Sequence, residues 1–375
     1  MAHEKLLTGI DIGSTTIRVV VGQVTDEHNK PNLIGVAEFP AEGVSKGAVT
    51  SIEDAVTCLS GALEKAERMT GQPIDRAYIG INGLHVTVQE SHGVIAVSRA
   101  DNEIHEDDVD RVIEAAQAVS TPANYDILHI IPRSFAVDDQ RGIKNPVGMT
   151  GIRLEVEANI ILGLSSQIKN LTKCVFRTSV DIEDLVFGPL AAAECALTKR
   201  QKDLGAALVT VGSATTSVLV FEEGDLLHMK VLPVGSGHIT NDIAIGMRSS
   251  IDVAERLKIE FGTALPDDVG KKEEVRLDDV GGSADESVSR HQIAEIIEAR
   301  LEEILKMVDK ELSAAGRAGM LPAGVVLTGG GVKLPGTVEV AKRTFRLPCA
   351  IGTPVDALTA IDKLKPLKES LISLM

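Results

Sequence analysis

Short apolar runs at the start of the chain alternate with polar turns and predict β-strands at about 6–12, 16–23 and 33–39. The polar stretch Thr25–Pro31 separates the second strand from the third. Over Ser51–Thr70 the pattern changes, because apolar residues now recur at helical spacing with charged residues on the opposite side. The chain therefore opens with strands followed by an amphipathic helix.

The middle of the chain continues this alternation. A strand is predicted at Arg76–Ile81, and it ends at the turn dipeptide Asn82-Gly83. Residues 84–161 are interpreted as a separate αβ module. The further predicted elements are a helix at Glu106–Ser120, strands at Asp126–Ile131 and Ile152–Leu162, and helices at 165–178 and 182–200.

The second half of the chain has a similar organisation. Residues 264–289 are polar and repeat the sequence Asp-Asp-Val-Gly, so we expect them to form a flexible surface. The alternation of strands and helices in two related halves predicts an α/β protein with mixed sheets. The elements predicted here are strands at 226–233 and Gly324–Leu327 and helices at Gly235–Arg248, 252–261 and 291–314.

Two distant segments share one pattern. Residues 9–23 and 208–222, aligned on Gly13 and Gly212, both consist of an apolar strand, Gly-Ser, a small polar turn and a second apolar strand. Such a turn directs several backbone N–H groups into one concave space, which suits phosphate oxygens. The pair predicts two similar domains that hold a polyphosphate between them.

The two copies differ where the first strand ends, since Asp11 stands in the first and Thr210 in the second. A carboxylate beside phosphates is repulsive unless a cation intervenes, so Asp11 is the candidate that would hold water on a bound Mg²⁺. Residues 325–336 add a strand that runs into Gly329-Gly330-Gly331 and then a helix start. Glycines there would let a ligand approach the backbone closely.

Composition narrows the classes of function. A formal net charge of −16 disfavours nucleic acid as a partner, so an anionic ligand has to be held locally by loops and helix ends. The cysteines form no CxxC motif and are expected to be buried, reduced thiols. No apolar run approaches the roughly 20 residues of a membrane span, and the N-terminus lacks a signal pattern. These features predict a soluble cytoplasmic protein.

The order of two phosphate-type hairpins and a glycine cluster resembles the superfamily of ATP-binding proteins that includes actin, the heat-shock chaperone ATPases and the sugar kinases. Within it, the chain is similar over nearly its whole length to the FtsA family of bacterial cell-division proteins. The most specific match is residues 142–155, GIKNPVGMTGIRLE, in the subdomain that replaces the second subdomain of actin. Shorter matches lie at 43–47, 79–83, 235–244 and 254–258.

This resemblance implies an actin-like (ribonuclease H-like) α/β fold of two domains with mixed sheets. Its implied subdomains are 1A (1–83 and 162–204), 1C (84–161), 2A (205–236 and 318–375) and 2B (237–317). It also implies an ATP- and Mg²⁺-binding protein that polymerises and recruits later division proteins. In this family the protein links the C-terminal tail of FtsZ to the cytoplasmic face of the membrane at midcell.

The family's binding residues carry over by position. Glu255 and Lys258 would reach the ribose and adenine, although a solvated helix ion pair is the alternative. Arg300 and Glu303 match the region that receives the FtsZ tail, and simple surface charges are an equally open reading. The full implied nucleotide-binding set is Gly13, Ser14, Thr15, Gly212, Ser213, Ala214, Thr215, Gly235, Gly237, Glu255, Lys258, Gly329, Gly330 and Val332.

The chain departs from the family pattern at two places in the second hairpin. The family usually has Asp where Thr210 stands, and often a further Asp where Ser217 stands. Metal binding should therefore depend on Asp11. Glu194 is the only acid in 186–198, where actin-like ATPases polarise water, and a helix-surface role suits it equally well. We expect nucleotide binding with weak or absent hydrolysis and assign no catalytic residue beyond the candidate Glu194.

Residues 355–375 have two interpretations. Leu367, Leu371, Leu374 and Met375 fall on one helical face with lysines close by, a pattern typical of an interfacial membrane anchor or of a closing helix packed on the sheet. Two functional alternatives also stay open. One is an adaptor of pilus assembly similar to PilM, and the other is a small-molecule kinase of the same fold, which would need a base beside a substrate hydroxyl.

Overall fold

A computed structural model describes residues 5–25, 28–98, 101–118, 122–283, 286–354 and 359–360. The first part of the chain forms a strand hairpin, a third strand and a long helix, as the sequence pattern predicts. Its elements are β1 (Lys5–Ile12), β2 (Thr16–Thr25), β3 (His28–Pro40), β4 (Val44–Ser45), β5 (Ala48–Val49), α1 (Ile52–Thr70) and β6 (Arg76–Ile81).

The inserted module follows and then returns to the first sheet. Its elements are β7 (Val86–Ala96), α2 (Glu106–Ala118), β8 (Tyr125–Val137), β9 (Gln140–Ile143) and β10 (Arg153–Leu164). After it come α3 (Ser165–Phe176), β11 (Asp181–Phe187), α4 (Gly188–Ala196) and α5 (Lys199–Leu204).

The second half has the same strand–strand–strand beginning as the first. Its strands are β12 (Ala206–Val211), β13 (Thr216–Glu222), β14 (Asp225–Leu232), β15 (Glu274–Arg276), β16 (Ser287–Ser289), β17 (Val325–Thr328), β18 (Cys349–Ile351) and β19 (Thr359–Ala360). Its α-helices are α6 (Ser236–Met247), α7 (Ile251–Phe261), α8 (Arg290–Ala314) and α9 (Thr337–Phe345).

The described strands form three main sheets. The first has the order β11-β6-β1-β2-β3-β19, the inserted module has β7-β10-β8-β9, and the second half has β14-β13-β12-β17-β18. In the first sheet β1 pairs antiparallel with β2 and parallel with β6. In the second half β12 pairs in the same way with β13 and β17. The two halves are therefore built around equivalent hairpins, and the mixed sheets predicted from sequence are present.

The buried apolar residues form three hydrophobic cores. One core contains residues of the first sheet, of helices α1, α3 and α4 and of one face of the second-half sheet. A second lies between the second-half sheet and helices α6, α8 and α9, and a third lies inside the inserted module. Asn159 on β10 is buried and its Nδ2 donates to the carbonyl of Leu226 at 2.7 Å, which ties the inserted module to the second half. All four cysteines are buried and free, as expected.

Two sequence expectations were wrong. A helix was predicted at 182–200, but the first of these residues belong to the strand Asp181–Phe187. This strand pairs with β6, which is distant in the sequence, and the pairing overrides the local helical spacing. Pro189 in the first turn of α4 is the local signal that marks the true helix start. The polar stretch 264–289 is not simply a flexible surface, since Val275, Leu277 and Val280 are buried in the second core. The expectations for residues 355–375 fall almost entirely outside the described residues.

Helix α1 offers a test of the first core. Leu59 is fully buried in that core, so Leu59→Ala should lower the free energy of unfolding by about 2–5 kcal/mol through lost burial and a residual cavity. Thr57→Ala, on the exposed side of the same helix, should change it by less than about 0.5 kcal/mol. Urea denaturation of both variants measures the difference, and equal effects would contradict this packing.

Candidate nucleotide-binding cleft

A cleft of about 620 Å³ lies where the two hairpin turns face each other. It is lined by both turns, the first residues of α4, one face of α7 and the glycine cluster after β17. The predicted site residues that line it are Asp11, Gly13, Ser14, Thr15, Gly212, Ser213, Ala214, Thr215, Glu255, Lys258, Gly329 and Gly330. The structure thus brings together residues more than three hundred positions apart in the sequence.

The first turn is closed by a short backbone hydrogen bond. Gly13 N donates to Thr16 O at 3.1 Å, and a Cβ at Gly13 would lie only 2.7 Å from that oxygen. Glycine is therefore required at this close approach. Ser14 and Thr15 lie at the tip of the turn and line the cleft.

The second turn has the same closure, with Gly212 N donating to Thr215 O at 2.9 Å. Gly235 and Gly237 pack against the backbone of this turn. Gly237 N donates to Ser213 O at 2.8 Å, and a Cβ at Gly235 would lie 2.5 Å from Gly212 O. Neither glycine lines the cleft, whereas Ser236 between them does. The resemblance includes both glycines in the nucleotide-binding set and implies that they line the cleft near the ribose, whereas in the structure they contact the second turn.

The residues of the glycine cluster after β17 also have different roles, because some pack against the protein and others face the cleft. Gly329 has a φ of 92° and packs against the Val211 carbonyl, where a side chain would overlap it. Gly330 is exposed and a Cβ there would meet no protein atom within 4 Å, so it presents open backbone to the cleft. Val332 is buried in the second core and does not line the cleft.

Glu255 and Lys258 form an ion pair on the cleft face of α7, with Lys258 Nζ 2.6 Å from Glu255 Oε2. Lys258 is buried and also donates to Thr240 Oγ1 at 2.8 Å. The Thr240 hydroxyl in turn donates to Glu255. Thr240 thus bonds to both members of the ion pair, which distinguishes the pair from one that is bonded only to solvent.

Asp11 is the charged centre of the cleft and is only 8% exposed. Burial raises the pKa of its carboxyl to about 6, and the Arg18 guanidinium and the Asn82 amide only partly oppose this rise. Asn82 Nδ2 donates to Asp11 Oδ1 at 2.7 Å, and Arg18 Nη1 lies 3.8 Å from Asp11 Oδ2. At neutral pH the buried carboxylate is thus ionised against a desolvation cost, which a bound cation would relieve.

The donor set fits a nucleotide with a divalent cation. Glycine turns, hydroxyls and one carboxylate match the ligands of phosphate groups and of Mg²⁺, which usually takes one or two protein carboxylates together with phosphates and water. Among the described residues, no three His, Cys, Asp or Glu side chains are grouped to hold a metal on their own. A cation beside Asp11 would therefore be completed by phosphate oxygens and water.

Sequence reasoning missed Arg18, Asn82 and Gly188, all of which line the cleft. Arg18 pairs directly with Asp11 across the β1–β2 hairpin, so its position could be found by counting along the predicted hairpin. Asn82 follows β6, and only the parallel pairing of β6 with β1 brings it to Asp11. No local pattern indicates that pairing.

The second half carries neutral side chains at the equivalent place. Thr210 pairs across the hairpin with Ser217, just as Asp11 pairs with Arg18. The Thr210 and Thr328 hydroxyls are hydrogen-bonded to each other at 2.8 Å. Thr210 and Ser217 line the cleft, so the second hairpin provides hydroxyls but no charge.

The remaining candidates lie elsewhere. The Glu194 side chain is 68% exposed, pairs with Lys202 at 2.7 Å and does not line the cleft. Arg300 and Glu303 lie on α8 and pair with each other at 2.6 Å, and Arg300 also binds Asp242 of α6 through two hydrogen bonds. Neither Arg300 nor Glu303 lines the cleft.

Solved structures show the class of fold. The PilM–PilN type IV pilus biogenesis complex aligns with a TM-score of 0.71 at 14% identity, over 98% of this chain and 96% of the other. MreB5 of Spiroplasma citri bound to ADP aligns with a TM-score of 0.55 at 14% identity, over 98% and 97%. The fold is actin-like, as predicted.

Sequence comparison defines the family. A family model described as cell division protein FtsA matches residues 207–366, and one described as the SHS2 domain inserted in FtsA matches 83–162. FtsA of Bacillus subtilis is 39% identical over 94% of this chain and 80% of the relative. FtsA of Escherichia coli K12 is 34% identical over 94% and 85%. The chain belongs to the FtsA family of cell-division proteins.

The buried carboxylate predicts a pH-dependent stability. Because folding raises the pKa of Asp11 from 3.8 to about 6, the folded state binds this proton more tightly, and stability falls as pH rises through 6. Asp11→Asn removes the charge, so the variant should be more stable than the wild type by about 3 kcal/mol at pH ~8 and by less than about 1 kcal/mol near pH ~4. Urea denaturation without nucleotide at both pH values measures this. A difference that does not change with pH would contradict it.

Proposed function

We propose that the chain binds ATP with Mg²⁺ in this cleft and acts as a polymerising adaptor of cell division. The observation that carries the proposal is the pair of glycine turns that face one cleft beside a single buried carboxylate. Membership of the FtsA family supports the role in division. The actin-like relatives MreB5 with ADP and with AMPPNP support a nucleotide as the ligand.

Different residues contact the phosphates, the cation, the ribose and the base of the proposed ligand. Backbone N–H groups of the two turns bind phosphate oxygens, and Arg18 adds positive charge on the Asp11 side. Asp11 holds the cation, which neutralises the phosphates when bound. Glu255 and Lys258, held by Thr240, contact the ribose and adenine, and Gly330 leaves room for the base. Subdomains 1A, 1C, 2A and 2B keep the bounds expected from sequence as part of this proposal.

Hydrolysis is proposed to be weak or absent. Asp11 and Glu255 are the acids that line the described cleft, and Glu255 is already paired with Lys258. The place opposite Asp11 holds Thr210, whose hydroxyl contacts Thr328. A general base must lie within hydrogen-bond reach of the water that it activates, and Glu194 lies outside the cleft.

The partners follow from the family. We propose that the chain assembles into filaments, binds the FtsZ C-terminal tail at Arg300 and Glu303, recruits later division proteins and acts at the cytoplasmic face of the membrane at midcell. None of the described helices is long and apolar enough to cross a membrane. A peripheral attachment through residues 355–375 is tested by vesicle flotation with and without residues 366–375, and unchanged flotation would exclude it.

Gly330 provides a direct test of the nucleotide site. Gly330→Ala adds a methyl group that meets no protein atom within 4 Å, so the fold should be unchanged. Because the methyl group occupies space in the cleft, affinity for a fluorescent ATP analogue should fall by about tenfold, or roughly 1.4 kcal/mol.

Gly270→Ala is the matched control, since its new Cβ would lie 3.9 Å from the nearest atom, outside the cleft. Its affinity should equal that of the wild type. If the wild type and both variants bind with equal affinity, the nucleotide does not contact Gly330. If the wild type does not bind the nucleotide at all, the proposed function is wrong.

Charge reversal tests the partner site. Arg300→Glu places a carboxylate beside Asp242 and Glu303, so binding of an FtsZ C-terminal tail peptide should weaken by about tenfold or more. Lys306→Glu makes the same change on the same helix, where Lys306 is exposed and pairs with Glu302, and this variant should bind normally. Fluorescence anisotropy measures both, and equal loss would point to a non-specific charge effect.

A further inference from the structure

Asn82 lies directly beside the charged centre of the cleft. Its Nδ2 donates to Asp11 Oδ1 at 2.7 Å. A carboxylate only accepts hydrogen bonds, so the NH₂ of the amide has to face Asp11 and Oδ1 has to face away from it. Within the described part of the chain, Oδ1 accepts no hydrogen bond, and Asn82 lines the cleft. The amide therefore leaves one acceptor available next to the carboxylate.

Two glycines fix this amide in place. Gly188, the first residue of α4, lies against it, and a Cβ there would overlap Oδ1 and lie 2.9 Å from Nδ2. On the other side, Gly47 has a φ of 80° and packs against the backbone carbonyl of Asn82, where any side chain would overlap. The 43–47 motif and the start of α4 thus share one local purpose, which is to hold the Asn82–Gly83 turn beside Asp11.

We propose that Asn82 is a positioning residue for the divalent cation. Its Nδ2 orients the Asp11 carboxylate, and its Oδ1 accepts a hydrogen bond from a water molecule of the cation's shell. This inference rests on the proposed function, since it assumes that the cleft binds Mg²⁺ together with a nucleotide. Mg²⁺ keeps several waters in protein sites, and outer-shell partners typically change metal affinity by about 10–100-fold.

A positioning role and a purely structural role make different predictions. If Asn82 only satisfied the buried Asp11 carboxylate, its loss would change stability or weaken nucleotide binding equally with and without magnesium. If it positions the cation, its loss should reduce only the part of the affinity that magnesium adds. The informative quantity is therefore the ratio of the ATP dissociation constants in EDTA and in MgCl₂.

The experiment measures this ratio by calorimetric titration of the full chain. In Asn82→Ala, the gain in ATP affinity on going from EDTA to MgCl₂ should be smaller than that of the wild type by about tenfold or more. Gly188→Ala displaces the same amide without removing it and should show the same loss. Asn145→Ala, which removes an amide outside the cleft, is the control and should keep the full gain.

Each outcome decides the proposal. A selective loss of the magnesium gain in Asn82→Ala and Gly188→Ala supports it, and Mn²⁺ binding followed by electron paramagnetic resonance should weaken in parallel. An unchanged ratio, or equal loss in EDTA and magnesium, overturns the role of Asn82 while leaving the proposed function intact. Failure of the wild type to bind ATP overturns the proposed function itself. If Asn82→Ala does not fold, Gly188→Ala decides.

Discussion

The cleft depends on one constraint, which is the presence of an ionised carboxylate in a buried position. Asp11 is 8% exposed, and the pKa of its carboxyl is raised to about 6 because desolvation outweighs the attraction of Arg18 and the hydrogen bond from Asn82. Arg18 is shared with Glu38, whose Oε1 lies 2.8 Å from Arg18 Nε, so it does not neutralise Asp11 alone. The neighbours of Asp11 therefore do not fully offset the cost of burying its charge. A cation beside it would do so, while the N–H groups of the glycine turns would bind the phosphate oxygens attached to that cation.

The two halves share a hairpin but provide different chemistry. The Asp11–Arg18 pair in the first half corresponds in register to Thr210–Ser217 in the second. The first hairpin thus supplies charge and the second only hydroxyls, with Thr210 hydrogen-bonded to Thr328. This asymmetry suits a nucleotide held between the two hairpins, because Asp11 can bind the cation while the equivalent position in the second hairpin, Thr210, carries no acid. Under the proposed function, the nucleotide is chiefly a structural component that keeps the two halves of the chain in the arrangement needed for assembly into filaments.

Much of the fold and of the candidate site could be predicted from the sequence, because the patterns that define them are local. The strand–Gly-Ser–strand hairpins, the glycine run at 329–331 and the contrast between Asp11 and Thr210 are each visible within a few residues. The missing parts depend on pairing between distant segments. Strand β11 forms only because β6 is available, and Asn82 reaches Asp11 only because β6 lies beside β1. Gly235, Gly237 and Val332 carry the family pattern, yet Gly235 and Gly237 support the second turn and Val332 lies in the second core, which spacing alone does not reveal.

The central claim is that a single buried carboxylate holds the cation of a nucleotide that is kept and not rapidly hydrolysed. A single-turnover experiment with γ-labelled ATP and Mg²⁺, with protein in excess, tests it most directly. ATP should bind in a one-to-one complex and be recovered largely intact over times much longer than a second. Release of phosphate at an ordinary enzyme rate of roughly 1 per second or faster would contradict the claim.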